Sequence, residues 1–193
     1  MIRLLALCSL LLLTMCDAPS KREHGMYSVD SLLHAQAAQL TKLRATLDKD
    51  VVFGPGEEKV SLTPQDTLAW LRELEIFSVM ESINKPVNRD QYKIEQSADK
   101  RSNLRIRSFS TTADLPVPYV NVYYHGRPSN IRRIEAAYIE TNGLYKTSRR
   151  LSMEFDPING VPVMSSYSIS GGQKMFMDDT VQYEIKGRVR TGN

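Results

Sequence analysis

The chain has 193 residues, a length typical of a single domain. Apolar residues make up 41% and charged residues 24%, close to the averages for soluble globular proteins, which excludes wholesale disorder, a collagen-like repeat and a polytopic membrane protein. The net charge of +3 is too small to indicate a nucleic-acid partner.

The N-terminus has the layout of a secretory signal. A short segment with one positive charge, Arg3, precedes an apolar run over residues 4 to 13. That run is shorter than the ~20 residues that a membrane-spanning helix requires, and strongly polar residues follow from Asp17. We therefore expect residues 1 to 15 to be a signal peptide.

The apolar run ends in Leu13-Thr14-Met15-Cys16. This motif resembles the lipobox of bacterial lipoproteins, in which a leucine stands three residues before the cysteine that becomes the lipidated first residue. The resemblance covers residues 1 to 16, and Met15 departs from the Gly, Ala or Ser usual before that cysteine. It implies lipidation at Cys16 and a location in the bacterial cell envelope, membrane-anchored, on the periplasmic side or exposed at the surface. Conventional secretion and a cytoplasmic protein with an apolar start are the alternatives.

Cysteine content is consistent with a lipid anchor. Cys8 and Cys16 are the only cysteines, so cleavage before Cys16 leaves one thiol in a mature chain of 193 − 15 = 178 residues. No disulfide, cysteine-ligated zinc or internal cysteine nucleophile is then possible. Residues 16 to 27 read as the lipidated cysteine and a flexible tether, and residues 28 to 190 as a single domain.

Helical periodicity dominates the first part of the domain. Apolar residues at 4-3-4-3-4 spacing predict a helix over about 28 to 48. After the break at Gly54-Pro55-Gly56, Thr63-Pro64-Gln65-Asp66 predicts a second helix with Thr63 as its N-cap, ending at Pro86. Its apolar face includes Trp70 and is broad enough to lie across a sheet.

Beyond Asn88 a period of two replaces the helical period, with the clearest alternation at residues 180 to 189. Noisier runs occur at about 91 to 97, 103 to 110, 117 to 125, 131 to 140, 144 to 155 and 161 to 170. Their connections are short enough for hairpins, at residues 126 to 129, Asn142-Gly143, Asn159-Gly160 and Gly171-Gly172. The predicted fold class is α+β, with two N-terminal helices packed on a curved antiparallel meander of six or seven strands.

Catalytic groups are scarce. The three histidines, His24, His34 and His125, show no zinc-ligand spacing, and no serine-hydrolase, phosphate-binding or dinucleotide-binding motif is present. Asp178 and Asp179 are adjacent and read as part of one loop rather than as a catalytic carboxylate pair. We therefore expect no catalytic residue, no metal site and no cofactor.

A basic segment is the clearest candidate for a binding surface. Ten basic and three acidic residues lie between Lys100 and Arg150, a local charge of +7, and tyrosines are interleaved with them. Export makes nucleic acid improbable, so an anionic glycan, a lipid head group or an acidic protein is the expected partner, besides the membrane that holds the anchor. The alternative is a solvated face with tyrosines packed beneath it. Period-two spacing predicts the ligand-binding residues Arg105, Arg107, Lys146 and Arg150.

These patterns predict a lipid-anchored cell-envelope protein that acts as a binding or assembly module without catalytic activity. The alternative is a periplasmic carrier whose sheet and helices enclose an apolar ligand, and a hydrolase is less favoured. The space between helices and sheet distinguishes the first two, because a carrier needs a lined cavity there and a binding module a filled core.

Overall fold

The computed structural model describes residues 27 to 175 and 179 to 192. The expected signal peptide, Cys16, most of the tether and Asp178 lie outside these residues. Helical segments are α1 (Val29–Lys42), α2 (Thr67–Leu74), a 3₁₀ helix (Glu75–Asn84) and α3 (Pro86–Arg89). The strands are β1 (Thr46–Phe53), β2 (Gly56–Leu62), β3 (Lys93–Ala98), β4 (Arg105–Ser110), β5 (Tyr119–Tyr124), β6 (Ile131–Thr141), β7 (Tyr145–Ile158), β8 (Val161–Met175) and β9 (Val181–Arg190).

All nine strands form one antiparallel sheet in the order β2-β1-β9-β8-β7-β6-β5-β4-β3. The α+β class with an antiparallel sheet is thus confirmed, and β3 to β9 form the expected meander. The predicted six or seven strands are too few, because the hairpin β1–β2 adds to the sheet beside β9. This hairpin also separates the two predicted helices, which do not both precede the sheet.

The predicted helix over 28 to 48 is too long. Helix α1 ends at Lys42, and Arg44 follows with a left-handed φ of 49° that a continuing helix cannot accommodate. Leu47 matches the helical spacing, yet it is a fully buried residue of β1. The hairpin turn has Gly54 at a φ of 53°, a conformation that favours glycine.

The second helical segment starts later than its sequence signal predicts. Asp66, rather than Thr63, is the N-cap, and its Oδ1 accepts a hydrogen bond from the Ala69 amide at 2.7 Å. The segment ends at Asn84, with Lys85 extended, so it stops just before Pro86 as predicted. Pro86 then begins the short helix α3, because a proline fits the first turn of a helix. Trp70 is fully buried, as the broad apolar face predicts.

The sheet has an inner face that carries the core and an outer face that carries mostly polar residues. Cross-strand partners share a face, and the successive partners Phe109, Val120, Ala136, Leu151 and Ile169 are all buried, which defines the inner face. The helical segments cover part of this face. None of the helices in the described part of the chain is long and apolar enough to span a membrane.

Four polar contacts fix the helical layer on the inner face. The Gln36 side chain of α1 donates to the Pro162 carbonyl at 2.9 Å and accepts from the Met164 amide at 2.7 Å. Glu73 of α2 accepts from the Tyr167 hydroxyl at 2.5 Å and pairs with Lys49 at 2.7 Å. Burial, followed by the bond to Glu73, raises the pKa of Tyr167.

Strand β8 continues through Gly171-Gly172, where the sequence predicts a turn. A Cβ at Gly171 would clash with the Ser148 carbonyl oxygen and would lie 3.0 Å from the Tyr183 phenol oxygen. The glycine therefore marks a close approach of neighbouring chain within the sheet, not a reversal of direction.

Candidate functional site

The four predicted ligand-binding residues lie on two different faces. Arg105 and Arg107 share the inner face with Phe109, whereas Lys146 and Arg150 share the outer face of β7. Each pair is on one side, as period-two spacing predicts. The fold does not bring the two pairs together into one surface.

Several arginines of the basic segment instead lie against aromatic rings. The guanidinium carbon of Arg107 is 5.4 Å from the centre of the Phe109 ring. The corresponding distances are 4.1 Å for Arg133 on Tyr123 and 5.5 Å for Arg149 on Tyr138. These are cation–π contacts, so the interleaving of arginine and tyrosine has a packing role in the sheet.

The helical layer leaves one end of the inner face uncovered. Along β1 the inner residues change from fully buried Leu47, through half-buried Val51, to Phe53, which is 61% exposed. Along β8 they change from buried Ile169 to Met175, which is 49% exposed. We call this the hairpin end, because the β1–β2, β6–β7 and β8–β9 connections lie there.

A cleft of about 470 Å³ lies on the inner face at the hairpin end. Its lining is mainly apolar, and the register places the strand residues of the lining on neighbouring positions of β1, β9 and β8. The lining residues are Phe53, Gln173, Met175, Asp179, Val181 and Tyr183. Sequence reasoning missed all of these as binding residues, although Phe53 beside Gly54-Pro55-Gly56 is an apolar residue at a turn.

A cluster of polar residues flanks the cleft on the β7 side. Thr147 and Tyr145 are the direct cross-strand partners of the lining residues Gln173 and Met175. The hydroxyls of Tyr138 and Tyr145 donate to the Glu140 carboxylate at 2.8 and 2.7 Å. These bonds, with a smaller contribution from Arg149, hold the pKa of Glu140 below its usual value.

The pKa values of the two phenols, Tyr138 and Tyr145, are raised, whereas that of Glu140 is lowered. Burial, followed by the bond to Glu140, raises the pKa of Tyr138. For Tyr145 the bond to Glu140 is the larger cause of a raised pKa.

Thr147 Oγ1 and Arg149 Nε are buried without a hydrogen-bond partner in the described residues. Such groups are common where a ligand or ordered water completes a site.

An open depression of about 350 Å³ adjoins the cleft at the β6–β7 turn and shares Met175 with it. Leu144, at the tip of this turn, is 72% exposed. Lys146 and Lys174 also line the depression and face each other directly across β7 and β8. Lys146, one of the predicted ligand-binding residues, thus lies beside a depression at the hairpin end.

Two further surface depressions have linings of mixed charge. On the outer face, serines of β7 and β8 line a groove of about 290 Å³ together with Asp50, Glu154, Lys186 and Arg188. Burial raises the pKa of Glu154 there. A groove of about 300 Å³ between α1 and α2 contains the exposed His34. His125 is also exposed.

No group of three or more His, Cys, Asp or Glu side chains in residues 27 to 175 and 179 to 192 is arranged to hold a metal ion. Asp179 lines the apolar cleft, and Asp156 is exposed on β7.

No protein-family model matches the chain, and it has no significant match among curated proteins or solved structures.

Proposed function

We propose that this chain is a lipid-anchored protein of the bacterial cell envelope that acts as a non-catalytic binding module, and that it binds an apolar or amphipathic small molecule in the cleft at the hairpin end. The observation that carries the proposal is the uncovered stretch of inner face. Phe53, Met175 and Val181 are 61%, 49% and 39% exposed and line one cleft. Apolar side chains gathered in this way indicate a binding surface.

The size and lining of the cleft suit a small ligand. Its volume of about 470 Å³ is within the ~300 to 1,000 Å³ usual for small-molecule sites. Phe53, Met175 and Val181 offer contacts to an apolar body. Gln173 and Tyr183 offer hydrogen bonds to a polar end, and specificity usually comes from a few such groups.

The position of the cleft differs from that expected of an enclosed carrier. Trp70, Leu74, Phe77 and Met80 are fully buried between the helical layer and the sheet, so side chains fill that space. The proposed ligand lies beyond the helices, at the open end of the sheet. It is therefore exchanged at the surface without movement of the helical layer.

The cellular location rests on the N-terminal motif. Leu13-Thr14-Met15-Cys16 supports lipidation at Cys16, and the ten residues 17 to 26 provide a tether to the domain. A ligand-binding domain on a lipid anchor stays close to the membrane, where apolar molecules concentrate.

The ligand site can be tested with N-phenyl-1-naphthylamine, an uncharged apolar fluorophore. We expect it to bind the mature chain with increased emission, and Phe53→Ser and Val181→Ser each to weaken binding about tenfold, because each removes apolar contact worth more than ~1 kcal/mol.

Leu68→Ser is the matched control, because Leu68 is 58% exposed on α2, outside the cleft lining. Equal affinity of the Phe53→Ser, Val181→Ser and control variants would show that the fluorophore binds elsewhere and would contradict the proposed site.

A further inference from the structure

We infer that the hairpin end docks onto the surface of a bilayer that contains anionic lipid, with Leu144 entering the interface and Lys146 and Lys174 contacting head groups. The inference rests on the proposed envelope location. It concerns residues outside the lining of the ligand cleft, so the two proposals can fail separately.

The exposed apolar residues are not evenly distributed. Nine large apolar side chains in the described chain are exposed, and six of these lie at the hairpin end, which makes it the most apolar part of the described surface. The six are Val52, Phe53, Ile139, Leu144, Met175 and Val181.

The sheet projects at this end. Pairing of β7 with β8 continues to Tyr145 and Met175, whereas pairing of β8 with β9 stops at Gln173 and Val181. Strand β6 pairs with β7 as far as Thr141, well beyond its last partner on β5. Among the described residues, the β6–β7 turn with Leu144 is therefore at the tip of the hairpin end, where it can reach a flat surface before the rest of the described domain.

The charge of the tip complements anionic head groups. Lys146 and Lys174 are direct cross-strand partners, and like charges in that position destabilise a sheet. Neither has a carboxylate within ion-pair distance in the part of the chain that the structure describes. A lipid phosphate between the lysines would remove their repulsion.

Docking in this orientation would place the ligand cleft against the bilayer. Met175 lines both the cleft and the depression beside Leu144, so the two adjoin. A ligand that leaves the cleft would enter lipid without crossing water. This identifies membrane lipid, or an apolar molecule dissolved in it, as the ligand class.

The test uses the mature chain from residue 16 with Cys16→Ser, which contains every described residue but has no acyl chain. Flotation is measured with phosphatidylcholine vesicles, with and without phosphatidylglycerol. We expect binding to the anionic vesicles that falls as salt rises. Lys146→Gln and Lys174→Gln should each weaken it about fivefold, and Leu144→Ser about tenfold.

Leu68→Ser and Lys42→Gln serve as controls, because both residues are exposed and their helices adjoin the ends of β1 and β2 that are opposite to the hairpin end. Naphthylamine binding by the Leu144, Lys146 and Lys174 variants should equal that of the parent chain, which separates docking from the ligand proposal and shows that the variants are folded. Equal vesicle binding by control and tip variants would overturn the inference. So would no vesicle binding, or a dimer in solution that buries Leu144.

Discussion

Glu140, at the hairpin end, has a carboxylate that its neighbours hold in the ionised form. Its carboxylate accepts the hydroxyls of Tyr138 and Tyr145 and lies near Arg149. These contacts stabilise the ionised form, so the pKa of Glu140 is lower in the folded than in the unfolded chain. The contribution to stability is therefore present above the usual pKa of 4.5 and is lost as the pH falls through the folded value.

The variant Glu140→Gln should remove this pH dependence. We expect it to be less stable than the parent chain at neutral pH, with the difference shrinking as the pH falls below 4.5, because the parent carboxyl is then protonated. Urea unfolding at several pH values measures the difference. Glu57→Gln, on the exposed edge strand β2, is the control. A difference that is the same at neutral and acid pH would contradict the role of the ionised carboxylate.

Arg149 and Arg150 are neighbours in the sequence but lie on opposite faces of the sheet. They are adjacent on β7, so Arg149 lies on the inner face beside Tyr138 and Arg150 on the outer face opposite Ser170. The inward arginine is accommodated by an aromatic ring and the uncovered end of the sheet. A position under the helical layer would leave the guanidinium desolvated at high cost.

At the scale of elements, strand β8 extends from under the helical layer to the hairpin end, because it continues without a break to Met175. Gly171→Ala should therefore destabilise the protein by about 1 to 3 kcal/mol, since the added methyl meets the Ser148 carbonyl within the sheet. Urea unfolding followed by the fluorescence of buried Trp70 measures the change.

Gly143→Ala is the matched control, because a Cβ at Gly143 in the β6–β7 turn meets no atom within 4 Å. We expect its free energy of unfolding to stay within about 0.5 kcal/mol of the parent value. If both substitutions had the same small effect, the close approach at Gly171 would be wrong.

At the scale of the whole molecule, the proposed lipid anchor at Cys16 would determine where the domain works. We expect the mature protein to partition into detergent, and Cys16→Ala to release it or leave it unprocessed. One acyl chain gives only marginal binding, so firm anchoring requires the several chains that lipoproteins carry.

Detergent-phase partition and the intact mass of the mature chain measure this directly. Cys8→Ala is the control, because Cys8 is in the segment expected to be removed. A mature chain whose mass includes no added lipid would rule out the anchor.

The sequence by itself determined the fold class and most of the sheet. Period-two alternation after Asn88 located the seven strands β3 to β9, because one buried and one solvated face leave that pattern in any antiparallel strand. Burial of Trp70 on the broad apolar face of the second helical segment was equally predictable. Both are local signals, which need no knowledge of the neighbouring elements.

Only the tertiary structure decided the rest. Leu47 fits a helical spacing and a strand equally well, and its burial beside β9 settles which is formed. The cleft residues Phe53, Met175 and Val181 come from β1, β8 and β9, and more than a hundred residues of chain separate Phe53 from the other two. In the sequence they look like core residues. They are exposed because the helical layer ends before it reaches them, and the extent of that layer depends on packing that no local pattern contains.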